Sequence, residues 1–103
     1  MTAKQYDVYW VDLNPTCGSE MNKIRPCVIV SPDDMNKHLN TIIVAPITSI
    51  KRTYPFRVMC DIGYIALDQL RTVDKKRITD FIQKLTTNHI LEVKHILHEM
   101  LVD

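Results

Sequence analysis

The chain has 103 residues, the length of one domain, and 46% apolar residues, enough for one compact core. Its formal net charge of +1 gives nucleic-acid binding no support from bulk charge, so any such role rests on where the 13 Lys and Arg stand. Only two glycines and no G-x-G-x-x-G or Walker pattern exclude a glycine-rich phosphate loop. Three cysteines without a C-x-x-C pair do not make a disulfide framework, and no apolar run reaches the length of a bilayer span. With no signal-peptide core in MTAKQYD, a reducing cytoplasmic setting and no membrane partner are expected.

Residues 6–13, YDVYWVDL, predict a first strand with Val8 and Trp10 on one side against Asp7, Tyr9 and Asp12. Asn14-Pro15 stops it. A polar loop with Gly18, Glu20 and Arg25 then opens at Pro26 into a second, buried strand over 26–31, placing Arg25 at a loop-to-strand junction. Pro32 to Asn36 reads as a turn with one helical turn, capped by Ser31 or Asp33. Residues 41–47, TIIVAPI, predict a third buried strand ending in Thr48 and Ser49, with the basic pair Lys51-Arg52 beyond. Residues 56–61 and 64–67 read as a hairpin joined tightly at Ile62-Gly63. Asp68 to Val73 continues as a polar strand end, and Asp74 caps a helical turn over 74–77.

Residues 78–85 are ambiguous by period: Ile78, Phe81, Ile82 and Leu85 match a helix, and Phe81 with Gln83 flanking Ile82 matches a strand poorly. From Thr86, a helix cap, Ile90, Val93, Ile96, Leu97, Met100 and Leu101 predict a closing amphipathic helix. Short strands at close spacing with one late helix favour a small curled sheet or barrel.

Metal chemistry finds no ligand set: His95 and His98 stand three apart without a third ligand at zinc-type spacing. Cys17 is the one loop cysteine available as a nucleophile, while Cys27 and Cys60 lie in apolar runs as small buried hydrophobes. Arg25 and Thr48 form the stronger pair, because each ends a buried strand. A guanidinium offers a rigid fork for phosphate oxygens and stays charged, and a neighbouring hydroxyl can donate to the same oxyanion. Such a pair suits attack of a ribose 2′-hydroxyl on phosphorus. The alternatives are that Arg25 binds a backbone carbonyl or pairs with Glu20. Lys23, Arg25, Lys51, Arg52 and Arg57 form one basic group, and Arg71, Lys75, Lys76 and Arg77 a second. Trp10, Tyr54 and Phe56 are the stacking candidates beside them, with Phe56 expected in the core.

These residues resemble the MazF/PemK/Kid toxins. YWVDLNPTCGSEMNKIRPCVIVSPD is similar to the family's opening W-x-D, P-x-x-G-x-E and R-P-x-x-V-x-S signature. VAPITS and YPFRV match its third strand and following loop, and GYIALDQLRTVDKKRI its D-Q-x-R-T-[VI]-D-K-x-R-[LI] segment. The resemblance spans nearly the whole chain. It implies a mainly β fold with a C-terminal helix (α+β): a small SH3-like antiparallel barrel, plasmid-maintenance-toxin/MazF-like, filling residues 1–103 as one domain and acting as a homodimer.

It further implies a metal-independent endoribonuclease, without cofactor, that cuts single-stranded RNA to 2′,3′-cyclic phosphate and 5′-hydroxyl ends and is blocked by a cognate antitoxin. Arg25 matches the catalytic arginine and Thr48 the assisting threonine. Ser19, Glu20 and Gln69 match RNA-contacting positions, and Asn22, Lys23, Ser49 and Asp68 complete the expected substrate-binding set.

Three departures stand out. The Kid-like branch carries a histidine where this chain has Ser19 and an arginine where it has Ala66. The connection Asp61-Ile62-Gly63 is several residues shorter than in relatives. Tyr6 occupies a position where relatives carry glycine. An alternative from another class is a gyrase-binding toxin of the same fold, like CcdB, but the helix end Glu99 to Asp103 lacks that poison's Trp-Gly-x-Ile ending.

Overall fold

The long strand Thr41–Thr48 organises the sheet, because it holds neighbours on both edges. The computed structural model describes residues 3–13, 24–49 and 56–102. Within these, the strands are β1 (Asp7–Asp12), β2 (Ile24–Ile29), β3 (Thr41–Thr48), β4 (Arg57–Cys60), β5 (Gly63–Ala66), β6 (Arg71–Asp74) and β7 (Ile78–Lys84). The helices are α1 (Asp33–His38) and α2 (Thr87–Leu101).

All pairings are antiparallel, in the order β4-β5-β3-β2-β1-β7, with β6 also on β3. One edge of β3 takes β2; the other takes β6 along Thr41 to Val44 and β5 at Ile47 and Thr48. The gap falls at Ala45-Pro46, where proline has no N–H to donate. There the chain leaves the ladder as a 3-10 turn, Leu67–Gln69, between β5 and β6. The expected barrel is thus a curled sheet that does not close among the described residues.

Side-chain alternation divides the interior in two. Val8, Val28, Ala45, Ile47, Val58, Ile65 and Leu67 pack on one face beneath α2, which contributes Val93 and the partly buried Ile90, Ile96, Leu97 and Met100. Tyr9, Val11, Cys27, Ile29, Ile42, Val44, Val73 and Ile78 fill the opposite face. Full burial of each such aliphatic side chain is worth about 1.5–3 kcal/mol. Thr86 caps α2 by accepting the His89 amide, as its position predicts.

Several expectations are corrected. Residues 78–84, ambiguous by period, form β7; register shifts against β1 at Val8/Tyr9 and Tyr9/Val11 break the strand's alternation and leave a helix-like apolar spacing. Tyr9 is buried and edge-on to Phe81 (centroids 5.5 Å apart), while Trp10 faces outward at 41% exposure. Asp7 is buried and accepts from Lys84 Nζ at 3.1 Å.

Neither Ser31 nor Asp33 caps α1, whose N-cap is Pro32. Ser31 Oγ instead donates to Asn36 Oδ1, and Asp33 accepts the Gln5 amide at 2.7 Å. The hairpin turn is Asp61-Ile62, so Gly63 is already the first residue of β5. Residues 68–70 are not strand, since the Leu67–Gln69 turn precedes β6.

Tyr6 explains the family's glycine. Its φ is +70°, a left-handed conformation that costs a side-chain-bearing residue about 1–2 kcal/mol. The conformation lets its amide reach Ile29 O (2.6 Å) while its carbonyl accepts from Leu85 N (3.1 Å). Its ring packs against the α2-side cluster, with Lys94 Nζ 6.0 Å from the ring centroid.

Candidate active site

Arg25 is the second residue of β2, which begins at Ile24, two residues before the expected start at Pro26. Val11 is its partner on β1. The β2–β3 ladder starts at Cys27↔Pro46, just past Pro26, whose missing N–H suits the unladdered end. Continuing that register by two residues sets Arg25 opposite Thr48. Cross-strand partners share a face, so both side chains stand on the face of Cys27 and Val44, away from α2. Arg25 is exposed and Thr48 half-buried, which puts them where this core opens to solvent.

Cys27 lies immediately beneath. Burial pushes its thiol up to about 12, against the opposing pull of the Arg71 and Arg25 guanidinium groups. Both cations therefore bear on the same spot. Cys27 and Cys60 are buried free thiols, as expected of apolar-run cysteines, and unsuited to nucleophilic work.

Thr48 pairs with Tyr64 on β5. Gly63 makes that contact close: a Cβ there would stand 2.8 Å from the Thr48 carbonyl oxygen and 2.8 Å from Ile47 Cγ2, and its φ is +147°. Ser49 is exposed in the bend that follows.

Asp68 and Gln69 occupy the 3-10 turn released at Pro46, and both are exposed. Asp68 has an arginine partner after all, from another strand. Arg57 Nε donates to Oδ1 at 2.9 Å and Nη2 to Oδ2 at 3.3 Å, with the Arg57 side chain 6% and the Asp68 side chain 25% exposed. Arg57 is the register partner of Ala66, so the cation that Kid-like toxins carry at Ala66 arrives here from across the hairpin.

Two arginines of the second basic group also have placed roles. Arg71 Nη1 donates to Leu13 O at 3.3 Å and Arg77 Nη1 to Asp12 O at 3.2 Å, holding the end of β1 where the loop departs. Sequence reading saw them only as charge. Their signal was the fixed R-T-V-D-K-K-R spacing, which a turn opened by Asp74 accepting the Lys76 amide brings into line.

Ser19, Glu20, Asn22, Lys23, Cys17, Lys51, Arg52 and Tyr54 lie outside the described residues. Phe56 was expected in the core but is 37% exposed in the turn just before β4. His95 binds Glu99 (3.2 Å), and among the described residues no group of three or more His, Cys, Asp or Glu is placed to hold a metal ion. Among the same residues no helix is long and apolar enough to cross a membrane.

The chain is similar to known proteins over nearly its whole length. Endoribonuclease EndoA of Bacillus subtilis (strain 168) is 39% identical over 95 residues, covering 82% of this chain and 82% of the relative. Endoribonuclease MazF of Staphylococcus epidermidis is 38% identical over 101 residues, covering 88% and 84%. A MazE–MazF crystal structure from Deinococcus radiodurans shares the fold, with a TM-score of 0.86 at 23% identity over 99% of this chain and 97% of that one. A mycobacterial endoribonuclease in complex with its cognate antitoxin gives 0.82 at 23% identity over 97% and 95%. Residues 4–101 match the model of the PemK-like, MazF-like toxin of type II toxin–antitoxin systems, and the chain belongs to that family.

Proposed function

We propose that the chain is a sequence-specific, metal-independent endoribonuclease toxin that cuts single-stranded RNA at the Arg25–Thr48 pair. The observation that carries the reading is the β2–β3 register, Cys27↔Pro46, which extended by two residues brings Arg25 and Thr48 opposite each other at the open end of a core face. The relatives named as endoribonucleases support it.

In the reaction the ribose 2′-oxygen bonds to phosphorus and the P–O5′ bond breaks, giving a 2′,3′-cyclic phosphate and a 5′-hydroxyl. The 2′-hydroxyl gives up a proton and the departing 5′-oxygen takes one up. Charge accumulates on the non-bridging oxygens, and the Arg25 fork and Thr48 hydroxyl are the donors for it. Asp68, held bidentately by Arg57, and Gln69 border the site as substrate contacts, with Ser49 beside Thr48. Ser19, Glu20, Asn22 and Lys23 complete the binding surface from the loop. The chain works as a single-domain homodimer in the cytoplasm and is neutralised by a cognate antitoxin, as the antitoxin complexes of its structural neighbours suggest.

The test is to incubate the protein with a long single-stranded RNA in excess EDTA and map the new 5′ ends. Cleavage is expected at a short recurring sequence, and Arg25→Ala should lower kcat by roughly 10²–10³-fold, the usual loss on removing an oxyanion donor. Thr48→Ala should weaken cleavage while RNA binding persists. Equal cleavage by Arg25→Ala would sink the assignment. Intact RNA with inhibited DNA supercoiling would favour the gyrase-binding class instead.

A further inference from the structure

We propose that Tyr64 is a specificity-determining residue that stacks on a base next to the scissile phosphate, an inference that rests on the Arg25–Thr48 reading. The sheet register lines up one residue from each of four strands. Thr48 pairs with Tyr64, Tyr64 pairs with Met59, and the β2–β3 register extended two residues beyond Cys27↔Pro46 brings Arg25 opposite Thr48. Side-chain alternation puts all four on one face. Residues of opposite parity on the same strands, Val28, Ile47, Ile65, Val58 and Cys60, all belong to the cluster beneath α2. The row therefore runs away from α2, from the phosphate donors outward along the sheet.

Strands lie about 4.8 Å apart, so the Tyr64 position is about 10 Å from that of Arg25. That is a suitable offset for the base of a nucleotide flanking a phosphate held at Arg25 and Thr48. Tyr64 is half-buried and belongs to neither apolar cluster, so its ring is anchored by the strand without being spent on the core. Met59, 64% exposed, extends the surface with a polarisable thioether. A phenol ring of this kind gives any base a stacking partner, and preference then follows from stacking strength. The short Asp61-Ile62 turn and Gly63 hold β5 close to Thr48, which fixes the ring's place in the row.

The experiment uses an RNA with one mapped cleavage site and versions in which the nucleotide on either side of the scissile phosphate is abasic. Wild type, Tyr64→Phe and Tyr64→Thr are compared, with circular dichroism and light scattering on each. Tyr64→Phe should cleave within about twofold of wild type, because the ring is kept. Tyr64→Thr, which retains a strand-forming residue, should raise KM by roughly 5- to 150-fold with a smaller change in kcat. One of the abasic RNAs should cost wild type a similar factor and cost Tyr64→Thr nothing more. Wild-type KM and site preference in Tyr64→Thr, with Arg25→Ala inactive, would overturn the stacking role alone. So would independent losses from the variant and every abasic RNA, or an altered oligomeric state, which would place the ring against a second copy of the chain. Uncut RNA with wild-type protein would overturn the underlying reading together with this one.

Discussion

The two faces of the same sheet are built for different work. Beneath α2, Val8, Val28, Ile65 and Val93 are fully buried within one hydrophobic cluster. On the opposite face, a core equally tight at Cys27, Ile29 and Val44 gives way within one strand step to Arg25, Thr48 and Tyr64. On β2, β3 and β5, residues of one parity serve the α2-side core, while the opposite face carries the second core and, at its open end, the candidate site residues. Adjacent positions should respond to mutation in unlike ways.

The sharpest contrast is between Ile65 and its neighbour Tyr64. Ile65→Ala should cost about 2–5 kcal/mol in denaturant unfolding, the range for a buried aliphatic truncated to alanine. Tyr64→Thr should leave stability nearly unchanged, and an equal loss at both would erase the distinction between the faces.

Alkaline titration probes the buried end of the site-bearing face. The Cys27 thiol is pushed up to about 12 in the folded chain. An unfolded thiol ionises near pH 8.5, so its contribution to stability is complete below that pH. It is lost as pH rises towards 12, at up to about 1.4 kcal/mol per pH unit. Cys27→Ala should flatten that part of the stability profile, since the raised tyrosines Tyr6 and Tyr9 remain in both proteins. An unchanged slope would show that Cys27 is not the group responsible.

Gly63 joins the two faces. Gly63→Ala forces a Cβ against the Thr48 carbonyl and strains a φ of +147°. It should cost about 1–3 kcal/mol and also lower RNA cleavage by displacing Thr48. Lost stability with full activity would show that Thr48 is held by other contacts. The smallest effect is expected at Tyr6, where glycine relieves about 1 kcal/mol of left-handed strain but removes a ring from the α2-side cluster. Calorimetry should find the two nearly offsetting; a large stabilisation would mean that the ring contributes little.

Much of this was legible in the residues. The order of the first five strands, the closing helix with its Thr86 cap, and the buried cysteines all followed from alternation and spacing. β7 was not, because its bulged pairing with β1 breaks the two-residue period that identifies a strand. The sides of β1 followed from alternation, with Val8 on one and Tyr9 on the other, but the burial of Asp7 did not, because it depends on Lys84, 77 residues away. The Arg57–Asp68 pair depends on hairpin register, which no local pattern encodes. Arg25 and Thr48 were legible as a pair only because both end apolar runs. Their alignment, and the place of Tyr64 in the same row, needed the sheet.

Trp10, the sole tryptophan, pairs with Pro26 on β2, one residue from Arg25, and alternation points it to the other side of the sheet. The indole thus stands on the face opposite the guanidinium, 41% exposed. It is a built-in optical probe: its emission can follow movement of the β2 end during turnover while adding nothing to the chemistry.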